Sequence, residues 1–101
     1  MHEASMNFDL ENVKPFLKRI DTRLELNLPI DELVEMTKRT RPGTEQSRTI
    51  DVTFRGSKTQ LEYKVFMDDV DSPDLYFFTP SNELAEAIQE ELVAFADELG
   101  L

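Results

Sequence analysis

The chain of 101 residues contains no cysteine and no tryptophan, one histidine and three glycines. Each shortage excludes something. Without cysteine there is no disulfide framework, no thiolate nucleophile and no cysteine-ligated zinc. A cysteine-free chain fits a reducing compartment, and the expected location is the cytoplasm. The single histidine, His2, has no second histidine to work with, so Ser–His and Cys–His nucleophilic sites are set aside. Three glycines supply neither G-x-G-x-x-G nor G-x-x-x-x-G-K-[ST], so no phosphate-cradling loop is encoded. No run approaches the ~20 apolar residues of a membrane span. The N-terminus lacks the basic and apolar regions of a secretory signal.

Positive charge is missing from the last third of the chain. All 11 lysines and arginines fall within residues 1–64, beside 11 of the 21 acids, so that part has no net charge. Residues 65–101 carry the other 10 acids and no base, and the net charge of −10 resides there. This balance speaks against nucleic-acid binding, which needs lysine and arginine to displace counterions. The one basic stretch, KRTRPGTEQSR, gathers Lys38, Arg39, Arg41 and Arg48. It reads more readily as helix C-terminal complement and loop.

The length suits one domain. Residues 1–7 read as a disordered tail and 8–101 as a single α+β domain. Leu10, Val13, Leu17, Ile20 and Leu24 recur at helical steps. With Asn12 as cap, Pro15 falls in the first turn, giving a helix at about 13–21 after a distorted turn. Leu24, Leu26 and Leu28 alternate with polar residues, a short strand pattern at 22–28 that either joins a sheet edge or forms no strand. Ile30, Leu33, Val34 and Thr37 share a helix face that ends before Pro42-Gly43. Ile50, Val52 and Phe54, then Leu61, Tyr63, Val65 and Met67, alternate as strands around a turn in RGSKT. DLYFF is a third strand without clear alternation. Thr79 as cap, Pro80 at the first position, and Leu84, Ile88, Leu92, Phe95 and Leu99 define a terminal amphipathic helix stopped by Gly100.

The order is α-β-α-β-β-β-α. It predicts a two-layer sandwich, an antiparallel meander of three to four strands packed against helices. Glu62, Lys64 and Phe66 then point away from the helices, with either Tyr76 and Phe78 or Leu75 and Phe77 beside Phe66. Such an outer face exposes apolar rings unless covered. The N-terminal helix as a third layer is slightly favoured as cover over a second copy of the chain, so both monomer and homodimer are carried forward.

The acids concentrate in two places. DDVDSPD holds Asp68, Asp69, Asp71 and Asp74, and the terminal helix carries Glu83, Glu86, Glu90, Glu91, Asp97 and Glu98 opposite its apolar face. As a calcium loop DDVDSPD fails, because Pro73 takes a ligand position and the glycine is missing. No metal and no cofactor is expected. Ser, Pro and Asp make an ordinary turn. The functional expectation is a small acidic binding module, with catalysis left open as the less favoured reading. It engages a basic protein partner through Asp68, Asp69, Asp71, Asp74, Glu83, Glu86, Glu90 and Glu91, with Phe66, Tyr76 and Phe78 as a further interface. The alternative is a small ligand-binding protein or enzyme on the outer sheet face or at a dimer interface, to be tested at Tyr63, Tyr76, Glu62 and Lys64.

Overall fold

The fold is α+β, as the residue pattern predicts. The computed structural model describes residues 1–100. Its elements are β1 (His2–Asn7), a short 3₁₀ turn (Leu10–Asn12), α1 (Val13–Leu24), α2 (Ile30–Arg39), β2 (Glu45–Phe54), β3 (Ser57–Asp69), β4 (Ser72–Thr79) and α3 (Asn82–Leu99). The four strands form one antiparallel sheet in the order β1-β4-β3-β2. Thus β2, β3 and β4 make the expected meander, and β1 adds to its β4 edge.

The meander follows from its turns. Arg55 (φ 50°) and Gly56 (φ 81°) link β2 to β3 as a two-residue loop, shorter than RGSKT suggests. Two consecutive positive φ values match the twist of the flanking strands. With the turn so tight, pairing extends back to Glu45 opposite Phe66. The segment 45–48, expected as loop, is therefore strand. Residues 72–79 alternate cleanly: Pro73, Leu75, Phe77 and Thr79 are buried, and Ser72, Asp74, Tyr76 and Phe78 are half-buried.

All three helices lie on one face. Phe16 of α1 meets Phe77 of β4 at 6.0 Å between ring centroids. Thr37 of α2 bonds the Tyr63 hydroxyl of β3 at 2.8 Å. Leu84, Ile88 and Leu92 of α3 join the same apolar cluster as Leu61, Val65 and Leu75 of the sheet. The outer face therefore has no third layer. The N-terminal helix, expected as its cover, faces the core because Val13, Phe16, Leu17 and Ile20 are all buried there.

Two further expectations are corrected. Residues 1–7 are not a disordered tail: His2–Asn7 pairs along β4 from Thr79 to Asp74. Ala4 is buried opposite Phe77, and Phe8 follows into the core. The β4 edge needs a partner, and this segment satisfies its main chain although Glu, Ala and Asn are poor strand formers. The alternating leucines at 24–28 are not a strand. Leu24 ends α1, and Glu25 (φ 54°) and Asn27 (φ 61°) adopt the left-handed conformation that breaks a strand. Leu26 and Leu28 still reach the core, held because the Leu28 amide donates to Asp21 Oδ1 at 2.6 Å.

The terminal helix is capped two residues later than Thr79 suggests: Ser81 Oγ accepts from the Leu84 amide at 3.2 Å. Thr79 instead accepts from the Ser81 amide at 3.1 Å, and Gly100 (φ 78°) closes the helix.

Two stability measurements test this architecture. A chain starting at Phe8 loses the β1 ladder and the buried Ala4, so urea unfolding should show a loss of at least about 2 kcal/mol; a mobile tail predicts none. Tyr63→Phe should cost about 1 kcal/mol near neutral pH, through the lost bond to Thr37. Burial pushes the Tyr63 phenol well above its ordinary range, with the Thr37 bond opposing in part. A phenol held up in the fold contributes stability below its unfolded pKa of about 10 and loses it as pH rises, by up to about 1.4 kcal/mol per unit. The phenylalanine variant lacks that slope, so the two proteins should converge near about pH 11.

Candidate docking surfaces

The register of the sheet sets three rows of the outer face across all four strands, β1, β4, β3 and β2, and β3 and β2 alone continue that face with Gln60 beside Asp51 and Lys58 beside Thr53. The first row is Asn7, Asp74, Phe66 and Glu45; the second is Ser5, Tyr76, Lys64 and Ser47; the third is Glu3, Phe78, Glu62 and Thr49. Directly opposed residues hold their Cβ atoms roughly 4.5–5.5 Å apart. Phe66 and Phe78 thus each stand between two carboxylates. Tyr76 and Phe78 lie on successive outward positions with rings nearly parallel, 6.1 Å apart at 4°. Lys64 is the one base in these rows, and its Nζ pairs with Glu45 at 3.4 Å. Of the two pairs of β4 residues open to the sequence, Tyr76 and Phe78 face outward. Phe66, Tyr76 and Phe78 are half-buried, with one another and the polar residues of their rows as neighbours on this face.

A hollow of about 240 Å³ lies among Glu45, Lys64, Phe66, Tyr76 and Phe78. Small-molecule pockets usually enclose roughly 300–1,000 Å³, so this is a textured surface more than a pocket. Tyr63, grouped with Tyr76, Glu62 and Lys64 as a test residue, is fully buried on the opposite side of the sheet and bonded to Thr37. It takes no part in an outer-face site.

The acids of α3 divide into two sets. Glu91 turns toward α1, where Arg19 Nε reaches its Oε2 at 3.2 Å and Arg23 at 3.6 Å. Arg19 also pairs with Glu98 and stands 5.9 Å from the Phe95 ring. With 15% and 14% of their side chains exposed, Arg19 and Glu91 form a partly desolvated interhelical pair. Glu91 is thus engaged inside the molecule, not displayed on the far face of the helix. Glu83 lies 3.8 Å from Arg55, both exposed. Among the described residues, Glu86, Glu90 and Asp97 have no ion pair. They flank Gln89, Val93 and Ala94 on the open side of α3, where Val93 is exposed.

DDVDSPD is the β3–β4 turn and a bracket for the N-terminal segment. Asp69 Oδ1 accepts from the Val70 amide at 2.7 Å, and Asp71 (φ 66°) completes the turn. The Asp71 carbonyl accepts from the Leu10 amide at 2.8 Å. The Asn7 side-chain amide donates to Asp74 Oδ1 at 2.8 Å and to the Pro73 carbonyl at 3.1 Å. Asp71 shares a hollow with Asp9, Glu11 and Lys38, and Val70 and Asp71 another with Lys38, Arg39 and Arg41. The two stretches marked by their charge therefore adjoin and offset each other. Arg48 is separate, paired with Glu32 of α2. Among the described residues, no cluster of three or more histidine or acidic side chains is arranged to hold a metal ion. Every buried side-chain nitrogen or oxygen there has a hydrogen-bond partner. No described helix is long and apolar enough to cross a membrane.

The chain matches no protein-family model, no curated protein and no solved structure. Its surface chemistry alone carries the functional argument. The row arrangement lies beyond sequence reasoning, because Glu3 reaches Phe78 only through the pairing of β1 with β4. The alternation of β3 did carry half of the signal.

The Arg19 site separates an internal ion pair from a surface one. Arg19→Met leaves Glu91 partly desolvated without its main partner and should cost roughly 2 kcal/mol in urea unfolding. Arg23→Ala, at a far more exposed partner of the same carboxylate, should cost under about 0.5 kcal/mol.

Proposed function

We propose that the protein is a small docking module for a basic protein partner, seated on the bare outer face of the sheet. The observation that carries this reading is the uncovered trio Phe66, Tyr76 and Phe78, set in rows with Glu3, Asp74, Glu62 and Glu45. Aromatic side chains supply large contact area at low entropic cost and dominate interface energies. Carboxylates around them select the sign of the partner. A second copy is a poor occupant, because face-to-face association would oppose the carboxylates of Glu3, Asp74, Glu62, Glu45 and Asp51, with only the ammoniums of Lys58 and Lys64 among them, to the same set.

Glu86, Glu90 and Asp97 of α3, with Asp68 and Asp69 at the turn, have a different part. They extend the negative field of a chain whose net charge is −10, raising the encounter rate with a basic protein while adding little contact energy. A cysteine-free chain suits action in the cytoplasm. Catalysis is not part of this reading: the shallow outer hollow offers no enclosed space to exclude water from a reaction.

The test is capture from cell extract by the native chain and two variants, at about 50 and 500 mM salt. The native chain should retain a basic protein at low salt and release most of it at high salt. Combined Phe66→Ser, Tyr76→Ser and Phe78→Ser should abolish retention. Combined Glu86→Gln, Glu90→Gln and Asp97→Asn should slow association about tenfold and leave the complex intact. Loss of the partner with the α3 variant alone would place docking on that helix, and equal retention by all three chains would overturn the reading.

A further inference from the structure

We infer that the row Glu3–Phe78–Glu62 is a receptor for an arginine side chain of the partner. This deepens the docking reading above and rests on it. The chain itself shows the parts from which such a receptor is made. Arg19 stands 5.9 Å from the Phe95 ring while Glu91 and Glu98 hold its guanidinium. Arg55 lies over Phe54 at 4.7 Å with Glu83 at 3.8 Å. Both arginines that sit over a ring also have a carboxylate.

The third row of the outer face repeats these parts without a cation. Phe78 is directly opposite Glu3 on β1 and Glu62 on β3. That places a carboxylate stem on each side of the ring at roughly 4.5–5.5 Å between Cβ atoms. Tyr76 is the next outward residue of β4, its ring stacked parallel to that of Phe78 at 6.1 Å. Glu3 Oε2 accepts from the Ser5 hydroxyl at 3.3 Å, which orients that carboxylate beside the row. The nearest base on this face, Lys64, belongs to the next row and is turned to Glu45.

The chemistry favours arginine over lysine. A guanidinium is planar, so it lies flat on a ring and still directs its edge donors to carboxylates on both sides. It is also more weakly hydrated than an ammonium, so desolvation on an aromatic surface opposes binding less. Lysine brings a compact, strongly hydrated charge that gains from the carboxylates but little from the rings. A face selecting only by net charge would treat the two alike; this row does not.

The experiment titrates the isotope-labelled full chain with a hexa-arginine peptide and, separately, a hexa-lysine peptide at low salt. It follows the ring resonances of Tyr76 and Phe78 and the amides of Glu3 and Glu62. The arginine peptide should bind about fivefold more tightly than the lysine peptide and shift those four residues most. Phe78→Leu keeps an apolar side chain and the buried face of the sheet, and should reduce the preference to nearly none. Glu62→Gln should weaken arginine binding severalfold while the lysine peptide loses less. If both peptides bind the outer face equally, the arginine receptor is overturned and the basic-partner reading survives. If the shifts map to Glu86, Glu90 and Asp97 of α3, or neither peptide binds, both fail.

Discussion

Four phenylalanine rings from four parts of the chain meet above the sheet. Phe8 packs on Phe16 at 5.5 Å and edge-on to Phe95 at 5.3 Å, and Phe16 contacts Phe95 at 5.5 Å and Phe77 at 6.0 Å. Tyr63 joins through Phe77 at 5.4 Å. Tilted and edge-on pairs at these distances add about 0.5–1.5 kcal/mol each beyond the area they bury. The cluster ties the segment after β1, helices α1 and α3, and the two central strands into one core. With the helices gathered there, nothing in the described chain remains to cover the other face of the sheet. The bare outer surface is thus a direct result of how the core is packed.

The legible parts of the fold were those set by local rules. The apolar spacing of α3, the strict alternation of β3 and the Pro42-Gly43 stop all act within a few residues. What escaped depended on distant partners. His2–Asn7 has no local reason to be a strand and becomes one only because the β4 edge lies beside it. The leucines at 24, 26 and 28 mimic a strand, yet Asp21 holds the chain in left-handed turns while two of them enter the core. Alternation told that Phe66 points outward, and it could not tell which aromatics of LYFF accompany it. That depended on where the turn after Asp69 falls, and an irregularity in pairing between Met67 and Asp69 lies next to that turn.

Charge followed a similar division. The sequence locates the acidic excess in the last third of the chain, but spatial neighbours decide what each acid does. Glu91 and Glu98 are consumed by Arg19, a base some 70 residues earlier in a helix packed alongside. Asp71 of the turn meets the basic stretch at 38–41. Conversely Glu3, from the first 64 residues with no net charge, stands in a row of the outer face with Glu62 and no base. A charge-segregated sequence has folded into a molecule whose surface field is assembled from both segments.

The left-handed residues carry a consequence for the thermodynamic margin of the fold. Glu25, Asn27, Arg55 and Asp71 all have positive φ without being glycine. Asparagine and aspartate tolerate this region through their short polar side chains, whereas glutamate and arginine sit there at roughly 1 kcal/mol each. At position 55 the strain coexists with stacking on Phe54 and proximity to Glu83. At position 25 the structure offers no such compensation beyond closing α1. The chain therefore lies below its own stability optimum, with reserve at positions remote from the outer face. Substitutions that cost stability elsewhere in the fold can be offset during evolution by relaxing that single helix terminus.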